Sequence, residues 1–179
     1  NDDPLWSRAH VVVGDAPDGV VDWGMNEFER LEQCWSRFRG DSELSRLNAR
    51  AGEWTDVSAS MLLILTCAAD LHRATGRRFD PAILDALERV GYDRTVASVA
   101  PASDAVVSAA PPAPSSAFSA MELDSESARV RLPRGMRIDL GGVGKGLAAD
   151  LVARGLVDRG ARTALVGLGG DLRARGEAP

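Results

Sequence analysis

One lysine occurs in 179 residues, Lys145, and every other basic side chain is arginine. It stands in Arg137-Ile-Asp-Leu-Gly-Gly-Val-Gly-Lys-Gly146, where an apolar segment gives way to a helix-forming one. Glycines let backbone approach a ligand closely, a helix start offers unpaired N–H groups, and an ammonium beside them supplies a point charge for a phosphate. Asp139 could accept hydrogen bonds from the donor edge of a heterocycle. A tight turn in which Asp139 caps the helix and Lys145 is solvated is the structural alternative, and the residues alone leave both open. An Ala- and Arg-rich composition explains why lysine is scarce, but not why the one lysine lies in the most glycine-dense stretch.

Two familiar phosphate loops are excluded. A Walker loop needs Gly-x-x-x-x-Gly-Lys followed by Ser or Thr, but Asp139 takes the first glycine position and Gly146 follows the lysine. A dinucleotide fingerprint started at Gly142 and Gly144 meets Leu147 where its third glycine should be.

The elements that must hold this turn follow from periodicity. Ala9 to Gly14 reads as a strand, and Val21 to Phe38 as a helix whose apolar residues recur at intervals of three and four, with Trp35 in the core. Asp41 to Asn48 is a short helix capped by Asp41 or Ser42. Ser58 caps a longer one that runs to about Ala74. Asn48 and Asp41 themselves read as cap and turn residues. Pro81 opens a helix that runs to about Val90 and ends at Gly91. Residues 96–117, rich in Ala, Ser and Pro, read as a flexible surface linker inside a single domain spanning 1–179. Phe118 to Asp124 and Ala128 to Leu132 form a hairpin, and Met136 to Leu140 another strand. Gly144 to Arg159 is a helix and Thr163 to Leu168 a strand, with a further strand or hairpin beginning at Gly169. The fold class expected is α+β, with helices packed on a mostly antiparallel sheet.

Composition narrows the function. A formal charge of −5 and no block of arginines argue against a general nucleic-acid binder. Cys34 and Cys67 lie in apolar helical patterns and read as buried thiols. His10 and His72 stand alone, without zinc spacing. The apolar run around Met61 to Leu65 is too short for a transmembrane segment. No signal peptide or lipid-attachment motif is visible, which points to the cytoplasm. The chain opens at Asn1, however, so an upstream segment could have been removed.

Four blocks in order carry a resemblance: Ser36-Arg-Phe-Arg-Gly-Asp-Ser-Glu-Leu-Ser-Arg-Leu-Asn48, Arg78-Phe-Asp-Pro81, Ile138-Asp-Leu-Gly-Gly-Val-Gly-Lys-Gly146 and Val166-Gly-Leu-Gly-Gly-Asp171. Together they resemble the FAD:protein FMN transferases, the ApbE family once called thiamine-biosynthesis lipoproteins. The resemblance implies an ApbE-like fold, FAD as substrate, magnesium, and transfer of FMN to a threonine or serine of a target protein with release of AMP. It implies that Phe38 lies against the flavin ligand, that Arg78, Phe79, Asp80 and Asp139 contact FAD, and that Lys145 contacts the cofactor. Gly142 would offer its backbone carbonyl to the metal. Leu5 falls where the family usually has Met, a poor match, and Ala82 stands where Thr often follows Asp-Pro. The family's C-terminal aspartate and threonine metal ligands have no counterpart, so the chain would hold roughly the first two thirds of such an enzyme and be inactive alone. A place in the cell envelope is also implied. Two alternatives use the same site: a magnesium-dependent FAD pyrophosphatase with water as acceptor, and a flavin-binding protein without catalysis. In the transferase reading Asp80 and Asp139 hold the cofactor rather than act as bases, since no histidine lies in the matched blocks.

Overall fold

A computed structural model describes residues 9–89, 91 and 117–177. Two small antiparallel sheets are bridged by helices. The first sheet has the order β1-β5-β6, from β1 (Ala9–Gly14), β5 (Thr163–Leu168) and β6 (Asp171–Gly176). The second has the order β2-β4-β3, from β2 (Thr55–Asp56), β4 (Arg129–Arg131) and β3 (Glu122–Asp124). This is the expected α+β class, with every described strand pair antiparallel.

Helix α5 (Gly141–Asp158) packs on β5 and β6, and α1 (Val20–Trp35) packs on α5. The period of three and four along α1 buries Phe28, Leu31 and Trp35, while α5 contributes Val152 and Leu156 to the same core. Each large apolar side chain so enclosed contributes about 1.5–3 kcal/mol. Helix α2 (Glu43–Ala49) and helix α3 (Ala59–Ala74) complete the core through Leu44, Leu47, Met61, Ile64 and Leu65.

Their starts are fixed locally. Ser42, not Asp41, caps α2, its Oγ accepting from Ser45 N–H at 3.0 Å. Ser58 caps α3 by accepting from Met61 N–H at 3.1 Å. Glu43 of α2 reaches across to the same cap, accepting from Ser58 N–H at 2.6 Å and Oγ–H at 2.7 Å. Its carboxylate also takes the S–H of Cys34 at 3.0 Å, so a buried thiol, an acid and a helix cap form one cluster.

Four expectations need correction. The helix after Pro81 is only α4 (Leu84–Arg89), because an Asx turn in which Asp80 Oδ1 accepts from Ala82 N–H at 2.9 Å comes first. Residues 117–120 form a 3₁₀ turn instead of extending the hairpin strand. Met136 to Leu140 is not a strand. Met136, Ile138 and Leu140 are buried and Arg137 exposed, as a strand would have them, but no described strand pairs with the segment. The backbone is satisfied otherwise: the Asn48 carboxamide donates to Ile138 C=O and accepts from Ile138 N–H, both at 2.9 Å, and Asp139 N–H donates to Pro81 C=O at 2.8 Å. Asn48 is therefore neither cap nor turn residue. The linker expected over 96–117 lies outside the described residues except for Ala117, and so does Leu5.

Candidate functional site

The Met136–Leu140 segment and the end of α1 meet at the first turn of α5. Arg37, just beyond α1, places Nε 2.6 Å from Asp139 Oδ2, with only 5% of its side chain exposed and 14% of the aspartate's. The other aspartate oxygen accepts from Gly141 N–H at 2.8 Å, so Asp139 does close the turn into α5. The Arg37 guanidinium lies 4.2 Å from the centre of the Phe38 ring, a distance suited to cation–π attraction. Phe38 N–H in turn donates to the buried Ser36 Oγ at 3.2 Å.

Lys145, one turn into α5, is not in bulk solvent. It is half-buried, and among the described residues none pairs with it. Its stem crosses the β5–β6 turn, where a Cβ on Gly169 would meet Nζ at 3.1 Å and Cδ at 3.2 Å. Gly169 also has φ +57°, so glycine there meets both a backbone and a space requirement. The fourth sequence block thus meets the third, with Gly169 as a wall for the lysine. Asp171 of the same block is exposed at the start of β6.

Phe38, Asp139, Gly142 and Lys145 line one cleft of about 280 Å³ with Trp35, Arg37, Ile83, Leu87 and Gly141. Trp35 is core, 3% exposed, although it also lines the cleft. Two cations and one carboxylate leave a net positive charge, so the cleft favours an anionic group. Its volume falls below the roughly 300–1,000 Å³ of a pocket for a whole drug-sized ligand, so it encloses only part of a ligand of that size.

The Arg78-Phe79-Asp80 stretch does not line this cleft. Arg78 is exposed, and Asp80 is engaged in its Asx turn. Phe79 stands behind the glycine turn: a Cβ on Gly142 would come within 2.9 Å of its ring. Oxygen donors for a metal are few. Among the described residues Asp139 is the only carboxylate lining the cleft, and both its oxygens are engaged. Among the described residues no group of three His, Cys, Asp or Glu could hold an ion. These donors do not make the six-oxygen shell magnesium demands.

The sequence does not mark Arg37, Asn48 or His72 for the places they take here. Arg37 sits inside a matched block, and an arginine flanking an aromatic was the available signal. Asn48 and His72 act through backbone atoms outside their own helices, which no local pattern reveals.

A helix-on-antiparallel-sheet domain with a cationic, aromatic-edged cleft at a helix N-terminus is the architecture of a site for an anionic ligand. The comparisons with known proteins sharpen this. The model of the ApbE family matches residues 8–179, and the chain belongs to that family. It is 30% identical to the FAD:protein FMN transferase of Treponema pallidum (strain Nichols), over 96% of this chain and 52% of the relative. Its fold matches the crystal structure of the ApbE protein of Thermotoga maritima with TM-score 0.73 at 22% identity, over 92% of this chain and 53% of that one. The flavin transferase ApbE of Vibrio cholerae matches with TM-score 0.74 at 21% identity, covering 95% and 56%. The chain spans about half the length of these proteins, less than the two thirds expected. No helix among the described residues is long and apolar enough to cross a membrane.

Proposed function

We propose that this chain is the flavin-holding part of an FAD:protein FMN transferase. The observation that carries the reading is the convergence of Phe38, Asp139, Gly142 and Lys145, drawn from two distant sequence blocks, on one cleft of net positive charge. The name of the Treponema pallidum relative supports it independently.

In this reading the FAD pyrophosphate lies toward Lys145, whose ammonium offsets negative charge on the phosphoryl oxygens as the bond to AMP breaks. Asp139, fixed by Arg37 and Gly141 N–H, accepts from a donor edge of the ligand with its remaining lone pairs. Phe38 lies against a ring of the cofactor. Phe79 supports the glycine turn from behind, and Arg78 and Asp80 flank it. The acceptor is a Thr or Ser hydroxyl of a target protein, which attacks the FMN-side phosphorus while AMP departs. The described donors do not complete a site for the metal. Its involvement is read by comparing AMP release with magnesium and with chelator.

The intact protein, FAD, magnesium and an acceptor peptide are expected to give a peptide heavier by one FMN, with AMP released in equal amount. Free FMN and AMP with an unmodified peptide would replace the transferase by the pyrophosphatase. The sparse donor set of the cleft favours a second reading, a flavin binder without catalysis. FAD binding that needs no metal, with no AMP released by the intact protein, would establish it. Residence in the cytoplasm or the cell envelope is read by fractionating cells that express the intact protein.

A further inference from the structure

His72, near the end of α3, is 4% exposed and lies outside the cleft. Its Nδ1 is 2.7 Å from the carbonyl oxygen of Phe79, and its Nε2 is 3.2 Å from Ser119 Oγ. A carbonyl oxygen only accepts, so Nδ1 carries the proton. The ring meets Phe118 edge-on, with centroids 5.3 Å apart. The other main-chain group of Phe79 is held as well, its N–H donating to Thr75 Oγ at 3.0 Å. Both hydrogen-bonding groups of the Phe79 backbone are therefore tied to the end of α3. The ring they position is the one packed against Gly142, and Gly142 begins the turn of α5 that carries Lys145.

We infer that His72 is a positioning residue for the cofactor site: its Nδ1–H fixes Phe79, and Phe79 fixes the Gly141–Gly142 turn and with it the cleft floor. The inference rests on the flavin-holding reading for its ligand, but its structural half does not. Fixing the Phe79 carbonyl requires a donor at the δ position and not an aromatic ring. Two substitutions separate those properties. His72→Asn keeps an N–H donor where Nδ1 was and loses the ring. His72→Phe keeps the ring beside Phe118 and loses the donor, leaving the Phe79 carbonyl without it.

FAD titration of the folded full chain and its variants, followed by flavin fluorescence, is the test. Backbone amide spectra of each ligand-free variant report whether it folds. His72→Phe is expected to raise the FAD Kd about tenfold, the size of one lost hydrogen bond to a buried acceptor, while His72→Asn stays within about threefold. In the ligand-free spectra, His72→Phe is expected to shift the Gly141 and Gly142 amides and His72→Asn to leave them near their original positions. Equal affinity and unshifted glycine amides in His72→Phe would overturn the inference, as would His72→Asn failing to restore either. If the unsubstituted chain binds no FAD, the flavin reading fails, and the glycine amide shifts still decide the role of His72.

Discussion

Asn48 and Ile138 lie ninety residues apart and share two hydrogen bonds of 2.9 Å, one in each direction. The carboxamide presents an acceptor and a donor to the N–H and C=O of one residue, as a neighbouring strand would. It thereby holds in place the segment whose next residue is Asp139.

Replacing Asn48 by Asp keeps the acceptor and removes the donor, leaving the buried Ile138 carbonyl unsatisfied beside a carboxylate. The expected loss is about 1–3 kcal/mol of unfolding free energy, with weaker FAD binding because Asp139 is displaced. Chemical denaturation checks this, and an unchanged midpoint would mean that Ile138 finds other partners.

Arg37→Met leaves the Asp139 carboxylate, 14% exposed, with only the Gly141 N–H among the described residues. Removing one partner of a buried pair strands the other charge, and a cost of about 2–3 kcal/mol is expected, below the range for fully enclosed pairs. Adding Asp139→Asn to Arg37→Met should recover much of that stability. A double-mutant cycle measures the coupling, and additive losses would show the pair to be energetically idle.

Lys145→Met should behave in the opposite way. None of the described residues pairs with this ammonium, so stability should stay within about 0.5 kcal/mol. FAD affinity should fall about 10- to 100-fold, the usual size of a charge-assisted contact to phosphate. Riboflavin, which has no phosphate, should bind wild type and variant alike. A titration in which both ligands weaken together would place the lysine elsewhere in function.

Burial pushes the Cys34 thiol up to about 12, with the Glu43 carboxylate holding its S–H as the next cause. In the unfolded chain the thiol ionises near its ordinary value of 9.0. Below that value both states keep the proton, so the contribution to stability is fully present. Above it only the unfolded state releases the proton, so stability should fall from about pH 9 towards 12. Cys67 is raised in the same direction by burial. Denaturation midpoints across this window should flatten in Cys34→Ala, and an unaltered slope would remove the thiol from the account.

The amino-acid order by itself determined the helices and most strands, because apolar residues at intervals of three and four or of two must find a core. It also determined the turn at Lys145, since glycine density and a lone ammonium are local facts. Through its likeness to a known family it marked Phe38, Asp139, Gly142 and Lys145, which meet in one cleft. Tertiary structure decided what carries no local signal. Met136 to Leu140 alternates like a strand, yet its hydrogen bonds go to the Asn48 side chain and Pro81, so no ladder forms. Arg37 gained its role only when the chain brought it to Asp139, and His72 only when its ring met the Phe79 carbonyl. Periodicity reports which side of an element is apolar. Which distant polar atoms become partners depends on where packing places the elements.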